Sequence, residues 1–387
     1  MNFDVKKVKL EIGHYLAGFA DAEGSFSVSF SPKRNASPCI PSEGTRCTKN
    51  NEITSWKVRP AFSVGQNERH IVAQFKKHLK CGIVRTNEKT HVSTYTVSNV
   101  SSLREYIVPF FKKFTFQSAK KKRDFSNFVQ VLEILEASRN SSCPSKEDIE
   151  RILALRVNTE AIVSNRTYSD EIILASLQKT IPSLGESRGI HIDEIKQSSE
   201  TNTPNSKELQ GNVILNEMIE SDLYGDIKAE NALNVYIAGF ADGDGSFNVS
   251  FRKRNDYSIG WKINPSFSIS QRDKILLQLF QKHLDCGRIR KGSSEGIYYL
   301  EVLDLNDLRN KVVPFFKRYP ILSEKGRERF QKFCKTLDLL SHYPVSRVNL
   351  EEILQLQRNE NSKPRITSQQ ILDQFDEFAL QREIKTQ

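Results

Sequence analysis

The sequence predicts an α+β protein in which one unit, αββαββα, is written twice and arranged about a pseudo-twofold axis. Three observations predict it. Residues 15–30 (YLAGFADAEGSFSVSF) and 236–251 (YIAGFADGDGSFNVSF) agree at 12 of 16 positions at an offset of 221. The likeness continues at an offset of 205: WKVRPAFSVGQ (56–66) with WKINPSFSISQ (261–271), HLKCGIVR (78–85) with HLDCGRIR (283–290), and VPFFKKF (108–114) with VPFFKRY (313–319). Within each copy the apolar period alternates between that of a helix and that of a half-buried strand at matching places. A longer loop in the first copy, around Ser37–Asn51, accounts for the change of offset.

Each element follows from its pattern. Leu10–Ala20 and Leu233–Ala241 are apolar runs of helical length. Phe26–Phe30 and Phe247–Phe251 alternate apolar with polar, as do Trp56–Val64 and Trp261–Ile269, which reads as strands with one wet face. Arg69–Leu79 and Lys274–Leu284 have helical spacing and precede a Cys-Gly stop. Short strands follow at Ile83–Arg85 with Thr94–Val97, and at Arg288–Arg290 with Tyr298–Val302; long helices come next at Asp124–Ala137 and Arg327–Leu340. IERILALR (149–156) echoes EEILQLQR (351–358), so the copies match almost to their ends.

Composition separates the copies from what joins them. Residues 182–231 hold ten acids and four bases with few aromatics, a net charge of −6. The whole chain of 387 residues carries +10, which leaves +16 on the two copies. The expected division is therefore 1–180, a polar and acidic linker at 181–231 with a short helix near Val213–Ile219, and 232–387. Such a tether makes a pseudo-dimer from one polypeptide, expected to act as a monomer.

Hydrophobic residues at 38% and 23 Phe suit two packed cores rather than a disordered chain. The basic surplus favours a polyanionic partner. The six cysteines (Cys39, Cys47, Cys81, Cys143, Cys286, Cys334) are scattered without CxxC spacing, which argues against a zinc site or disulfide framework and fits a reducing compartment. No apolar run reaches membrane-spanning length. MNFDVKKVKLEIGHYL has no leader character, so the expected compartment is the one of synthesis, a bacterial cytoplasm or an organelle that translates its own introns.

The chemistry concentrates where the first helix of each copy ends. Ala17-Gly18 and Ala238-Gly239 recur in register inside otherwise bulky helices, as close packing of one helix on the other requires. Both helices then run into acid-x-acid-Gly: Asp21-Ala22-Glu23-Gly24 and Asp242-Gly243-Asp244-Gly245. The last glycine suits a left-handed residue closing the helix. Carboxylates at the negative end of a helix dipole are unfavourable, and two such ends side by side are more so. Acids retained there call for a hard divalent cation, Mg²⁺ or Mn²⁺ in its place, with the free carbonyls of Ala22 and Gly243 as further oxygen ligands.

YLAGFADAEG and YIAGFADGDG closely resemble the signature of the LAGLIDADG homing endonucleases, and the resemblance covers nearly all of the chain outside the linker and tails. It implies that the motif helices pack at the interface of two sheets forming a DNA-binding saddle. It also implies that the second acid of each motif, Glu23 and Asp244, is the metal ligand, while Asp21 and Asp242 serve structure. Gln66 and Gln271, at the ends of the second strands, match a position that orders water near the metals, although a strand-end hydrogen bond explains each equally well alone. Lys120 or Lys121, and Lys325, match a basic residue near the scissile phosphate; a solvated charge run is the competing account.

The strands present the means to read DNA. In the first copy the polar face carries Ser27, Ser29, Ser31 and Lys33, then Lys57, Arg59 and Ser63, with Arg85 and Asn87. In the second it carries Asn248, Ser250, Arg252 and Arg254, then Lys262, Asn264 and Ser268, with Arg288 and Arg290. Such ribbons fit the major groove, where Arg, Lys and Asn distinguish base edges. Because the two faces differ, the expected target is long and asymmetric. His78, His283, Cys81, Cys286, Trp56 and Trp261 read as structural residues. The resemblance implies an intron-encoded, metal-dependent endonuclease that leaves short 3′ overhangs on double-stranded DNA. The alternative is an intron-RNA maturase on the same scaffold, since that role is also found in the family.

Overall fold

The computed structural model describes residues 3–34, 53–138, 144–157, 168–178, 231–254, 256–257, 260–341, 345–357 and 367–386. The expected loop at Ser37–Asn51, the short helix at Val213–Ile219 and residues 181–230 of the linker lie outside the described residues. The first copy contains α1 (Leu10–Glu23), β1 (Gly24–Arg34), β2 (Ile53–Gln66), α2 (Arg69–Leu79), β3 (Ile83–Thr86), β4 (Ser93–Val97), α3 (Val108–Lys113), α4 (Ala119–Ala137), α5 (Lys146–Val157) and α6 (Asp170–Gln178). The second contains α7 (Ala232–Asp244), β5 (Gly245–Lys253), β6 (Trp261–Gln271), α8 (Lys274–Leu284), β7 (Arg288–Lys291), β8 (Tyr298–Val302), α9 (Val313–Arg318), α10 (Glu324–Leu339), α11 (Arg347–Leu356) and α12 (Ser368–Thr386). The strands form two four-stranded sheets in the orders β1-β2-β4-β3 and β5-β6-β8-β7. The α+β class and the doubled order of elements agree with expectation.

The structure also departs from it. The motif helices run on through the acids to Glu23 and Asp244. Gly24 and Gly245 are not left-handed but extended, at φ −79°, ψ 153° and φ −82°, ψ 150°. Their glycine character has another cause: a Cβ would collide with the carbonyl oxygens of Ala20 and Ala241 as the chain leaves the helix. Left-handed residues do close α2 and α8, and these two caps are Lys80 at φ 58° and Asp285 at φ 53°. A wide helical turn over Leu103–Ile107 leads into α3, and another over Leu308–Val312 leads into α9. The recurrent VPFFK segments thus start short helices, with Pro in the first turn where its missing N–H costs nothing.

Contacts group the chain into two compact units. One comprises Met1–Ser27, Pro60–Val129 and Asp226–Gln387. Here α1 and α7 are buried nearly all round, from Tyr15 to Asp21 and from Val235 to Asp242, as expected for helices at the centre of a fold. A Cβ on Gly18 would overlap the Tyr236 carbonyl, and one on Gly239 the Tyr15 carbonyl, so the backbones touch where the small residues recur. Phenylalanine fills both halves by one scheme. Phe26 packs against Phe62, Phe111, Phe125 and Phe128, and Phe247 against Phe267, Phe316, Phe330 and Phe333, with centroids between 5.0 and 5.8 Å apart. Tilted and edge-on pairs of this kind add to area burial.

The other unit comprises Val28–Arg59 and Gln130–Gly225. Its core joins Phe30, Trp56 and Val58 to Val131, Ile134, Ile149, Ile152, Leu153 and Ile173. The Trp56 indole donates to Ser176 Oγ at 2.8 Å, so this buried ring is a sheet anchor.

Candidate active site and nucleic-acid interface

Helix packing brings the two acidic ends together. A Cβ on Gly243 would lie 2.7 Å from Ala22 Cβ and 3.0 Å from Glu23 Cγ. Glycine at 243 therefore makes room for the glutamate, whose extra methylene the Asp-bearing copy lacks. Neither helix carries a basic residue in its own last turn, so the helices themselves supply nothing to offset their dipoles.

Asp21 and Asp242 are each 4% exposed and fully engaged. Asp21 accepts from the backbone N–H groups of Gln117 (3.1 Å) and Ser118 (2.9 Å), from Ser118 Oγ and from the Tyr236 hydroxyl. Asp242 accepts from Ser323 N–H (3.0 Å), from Ser323 Oγ and from the Tyr15 hydroxyl (2.6 Å). These buried carboxylates thereby seat the starts of α4 and α10. A second pair of acids does the same across the copies. Glu68 accepts from Glu324 N–H (2.6 Å) and Lys325 N–H (2.9 Å), and Asp273 from Ala119 N–H (2.8 Å). Neither Ser118/Ser323, Tyr15/Tyr236 nor Glu68/Asp273 was singled out from sequence, yet all three pairs recur in register between the copies.

Glu23 and Asp244 are half-buried and face the strand-end glutamines. Gln66 Nε2 donates to Glu23 Oε1 at 3.4 Å, and Gln271 Nε2 to Asp244 Oδ2 at 3.3 Å. Each amide is held by its other end, Gln66 Oε1 accepting from Asn67 N–H and Gln271 Oε1 from Arg272 N–H, both at 2.9 Å. Burial raises the Glu23 carboxyl to about 7, reinforced by Asp244 and opposed by Lys121. Burial raises Asp244 to about 6, opposed by Lys121 and reinforced by Asp21. Two partly desolvated acids at paired helix ends favour a proton or a cation. Among the described residues no three His, Cys, Asp or Glu side chains cluster as a ready-made cage. The donors are two carboxylates and the helix-end carbonyls of Ala22 and Gly243, an all-oxygen set that fits a hard divalent ion completing its shell with water or phosphate.

The lysines separate. Lys121 is buried, 8% exposed, and its ammonium donates to the Gly24 carbonyl beside Glu23. Lys120 is exposed and pairs with Asp124 at 3.7 Å. Lys325 is exposed on the first turn of α10. The structure thus gathers Glu23, Asp244, Gln66, Gln271 and Lys121, and leaves Lys120 and Lys325 turned to solvent.

Strand register shows how the polar faces are composed. In the second copy Asn248 pairs with Ser266, Ser250 with Asn264, Arg252 with Lys262, and Ser268 with Glu301, which in turn faces Arg288. Asn248, Arg252, Arg254, Arg288 and Arg290 are exposed. Arg290 bonds Glu301 at 2.7 Å and lies 4.3 Å from the Tyr299 ring centre; Glu301, absent from the expected set, shares this face. Arg254 is engaged by Asp256 through two hydrogen bonds of 2.8 and 2.6 Å. In the first copy Ser27, Arg85 and Asn87 are exposed and Ser63 is half-buried. Asn87 Oδ1 accepts from Lys89 and Thr90 N–H and shapes the turn after β3. In the smaller unit Ser29, Lys33, Lys57 and Arg59 are exposed and Ser31 is half-buried. No helix among the described residues is long and apolar enough to cross a membrane.

Comparison with known proteins meets this geometry. The family model described as LAGLIDADG endonuclease matches residues 16–132 and 237–337, one segment per motif. The chain is 24% identical over 306 residues to a probable intron-encoded DNA endonuclease 1 of Mycosarcoma maydis, covering 78% of this chain and 91% of that protein. It is 34% identical over 93 residues to a probable intron-encoded endonuclease 2 of Neurospora crassa, where the match spans 23% of this chain and only 21% of the relative. Among solved structures, I-SmaMI bound to uncleaved DNA target in the presence of calcium ions superposes with a TM-score of 0.63 at 22% identity, covering 91% of this chain and 99% of that one. With two motif helices in contact, two like sheets and a family match over both copies, the chain belongs to the LAGLIDADG endonuclease family.

Proposed function

We propose that this protein is an intron-encoded, site-specific DNA endonuclease that hydrolyses one phosphodiester on each strand of a long asymmetric target, leaving short 3′ overhangs. The observation that carries the reading is the contact of the two acidic helix ends, with Glu23 packed against Gly243. Two acids so close together can serve two phosphates facing each other across a minor groove. The relatives named as intron-encoded endonucleases, and the DNA-bound structure of I-SmaMI, support the same substrate class.

Glu23 and Asp244, with the carbonyls of Ala22 and Gly243, would hold divalent cations, Mg²⁺ or Mn²⁺. A bound cation there would lower the pKa of a ligated water and offset charge on the phosphate. Gln66 and Gln271 hold their carboxylates in place and present polar groups to neighbouring water. Lys121 keeps a positive charge at the α1 end. The exposed Arg, Lys, Asn and Ser of the strands contact phosphates and base edges, so affinity falls steeply with salt. One chain carries both copies and acts as a monomer.

The test uses a plasmid in which the sequences flanking the intron are joined without it. Wild-type protein with Mg²⁺ linearises this plasmid. Glu23→Gln and Asp244→Asn each abolish double-strand cleavage while binding in Ca²⁺ stays within a few-fold. Loss of binding or folding in both variants would overturn the ligand assignment. Splicing of the intron without any cutting would favour the maturase.

A further inference from the structure

The copies differ at one position where their backbones agree. At the start of α4 the N–H of Lys121 donates to Ser118 Oγ at 3.2 Å; at the start of α10 the N–H of Gly326 donates to Ser323 Oγ at 3.1 Å. Both serines bond the buried Asp of their own copy's motif. The local fold is therefore the same, and position 121 corresponds to position 326, as Lys120 does to Lys325. In the first copy a buried ammonium reaches the Gly24 carbonyl next to Glu23. The second copy has no side chain there, and none fits: a Cβ on Gly326 would lie 2.6 Å from Asp242 Oδ1 and 2.6 Å from Ile321 Cγ2, and would overlap Ser323 Oγ. Its nearest lysine in sequence, Lys325, is exposed.

We propose that the two cleavage centres are unequal, the Lys121 ammonium standing on the backbone beside Glu23 with no counterpart at position 326 beside Asp244, so that one strand is cut well before the other. The inference rests on the reading of the paired acids as two hydrolytic centres. In each hydrolysis a water oxygen bonds to phosphorus and one P–O bond to a sugar breaks. The leaving sugar oxygen takes one proton of the water, and the other is released as the new phosphate ionises. Negative charge builds on the phosphate oxygens and the leaving oxygen during this exchange. A pre-positioned cation stabilises that charge without reorganising, and removing one such donor typically costs about 10²–10³ in rate. With a Lys against one helix end and a Gly at the matching place of the other, the difference falls mainly on one strand. A nicked intermediate then accumulates.

The test follows supercoiled plasmid carrying the joined host sequence, with each strand labelled separately, in Mg²⁺. The wild type is expected to pass through a nicked form always broken in the same strand, with first and second cuts differing about tenfold or more. Lys121→Met is expected to slow that favoured strand and bring the two rates together, with a smaller effect on the other strand. Lys121→Arg, which keeps the charge, retains the order of cutting and covers the case in which the methionine variant fails to fold, as checked by circular dichroism and Ca²⁺-supported binding. Equal strand rates in the wild type, or a strand preference that survives Lys121→Met, would overturn the proposal. Absence of cutting by the wild type would count instead against the endonuclease reading.

Discussion

The Tyr15 hydroxyl of α1 donates to Asp242 of α7 at 2.6 Å and accepts from Leu322 N–H at 2.8 Å. Tyr236 of α7 mirrors it, donating to Asp21 and accepting from Gln117 N–H at 2.9 Å. Each buried acid is thus completed by a tyrosine from the other copy.

Tyr15→Phe or Tyr236→Phe should therefore destabilise the protein although the ring still fits. Tyr15→Phe removes one donor from Asp242 and the acceptor of the Leu322 N–H. Tyr236→Phe removes one donor from Asp21, while the Gln117 N–H keeps its bond to that acid. The cost is about 1–3 kcal/mol, larger for Tyr15. Thermal unfolding should shift down by several degrees. A double-mutant cycle of Tyr15→Phe with Asp242→Asn should show coupling, and strict additivity would argue against the bond.

Gly18→Ala and Gly239→Ala set two effects against each other. Alanine gains ~1 kcal/mol of helix propensity over glycine. Here its Cβ would overlap a backbone carbonyl of the facing helix, which cannot rotate away. Overpacking of that kind costs about 1–3 kcal/mol or more. The expected outcome is lower stability or poor recovery of folded protein, read by thermal unfolding; a stabilised variant would mean that the helices do not touch.

The acid pair predicts an unusual pH profile. Folding raises Glu23 from 4.5 to about 7 and Asp244 from 3.8 to about 6. Their contribution to stability is whole below the ordinary carboxylate values and is lost as pH rises through about 6 and about 7. In EDTA, the double variant Glu23→Gln/Asp244→Asn should gain on the wild type by ~2–4 °C as pH goes from 4.5 to 7.5, since both groups are partly solvated. Divalent ions should narrow that gap, because they bind the ionised form. A pH-independent difference would show that these acids titrate normally.

Glu301 should tune sequence discrimination. It holds Arg290 at 2.7 Å beside the Tyr299 ring, and Arg290 in turn keeps the Glu301 carboxyl below its usual range. A guanidinium fixed in place loses less entropy when it bonds a base edge. Glu301→Gln should relax discrimination at one base pair by up to ~1–3 kcal/mol. Binding measured in Ca²⁺ across single-base variants of the target would reveal this. Uniform weakening at all positions would argue for a phosphate contact instead.

Much of this was legible because the chain contains its own comparison. Two copies in register exposed the small residues at 18 and 239, the acids at 23 and 244, and the glutamines at 66 and 271. What escaped was of two kinds. Tyr15/Tyr236 and Glu68/Asp273 recur equally well, but their partners lie in the other copy, and strand and helix periodicity carries no information on contacts of that range. Lys120 and Lys121 sit side by side in a basic run, and only the Ser118 cap shows which one turns inward. Arg254 and Asn87 also have local partners that strand periodicity does not reveal, Asp256 and the turn after β3. The glycines after the motif acids met a steric demand at the helix exit rather than a torsional one.

The mutual seating of Gly18 on the Tyr236 carbonyl and Gly239 on the Tyr15 carbonyl bears on protein engineering. A chimaera joining one half of this protein to a foreign half inherits only one side of each contact. Residues 15, 18, 236 and 239 must then be transplanted as a matched quartet, whatever the graft does to the strands.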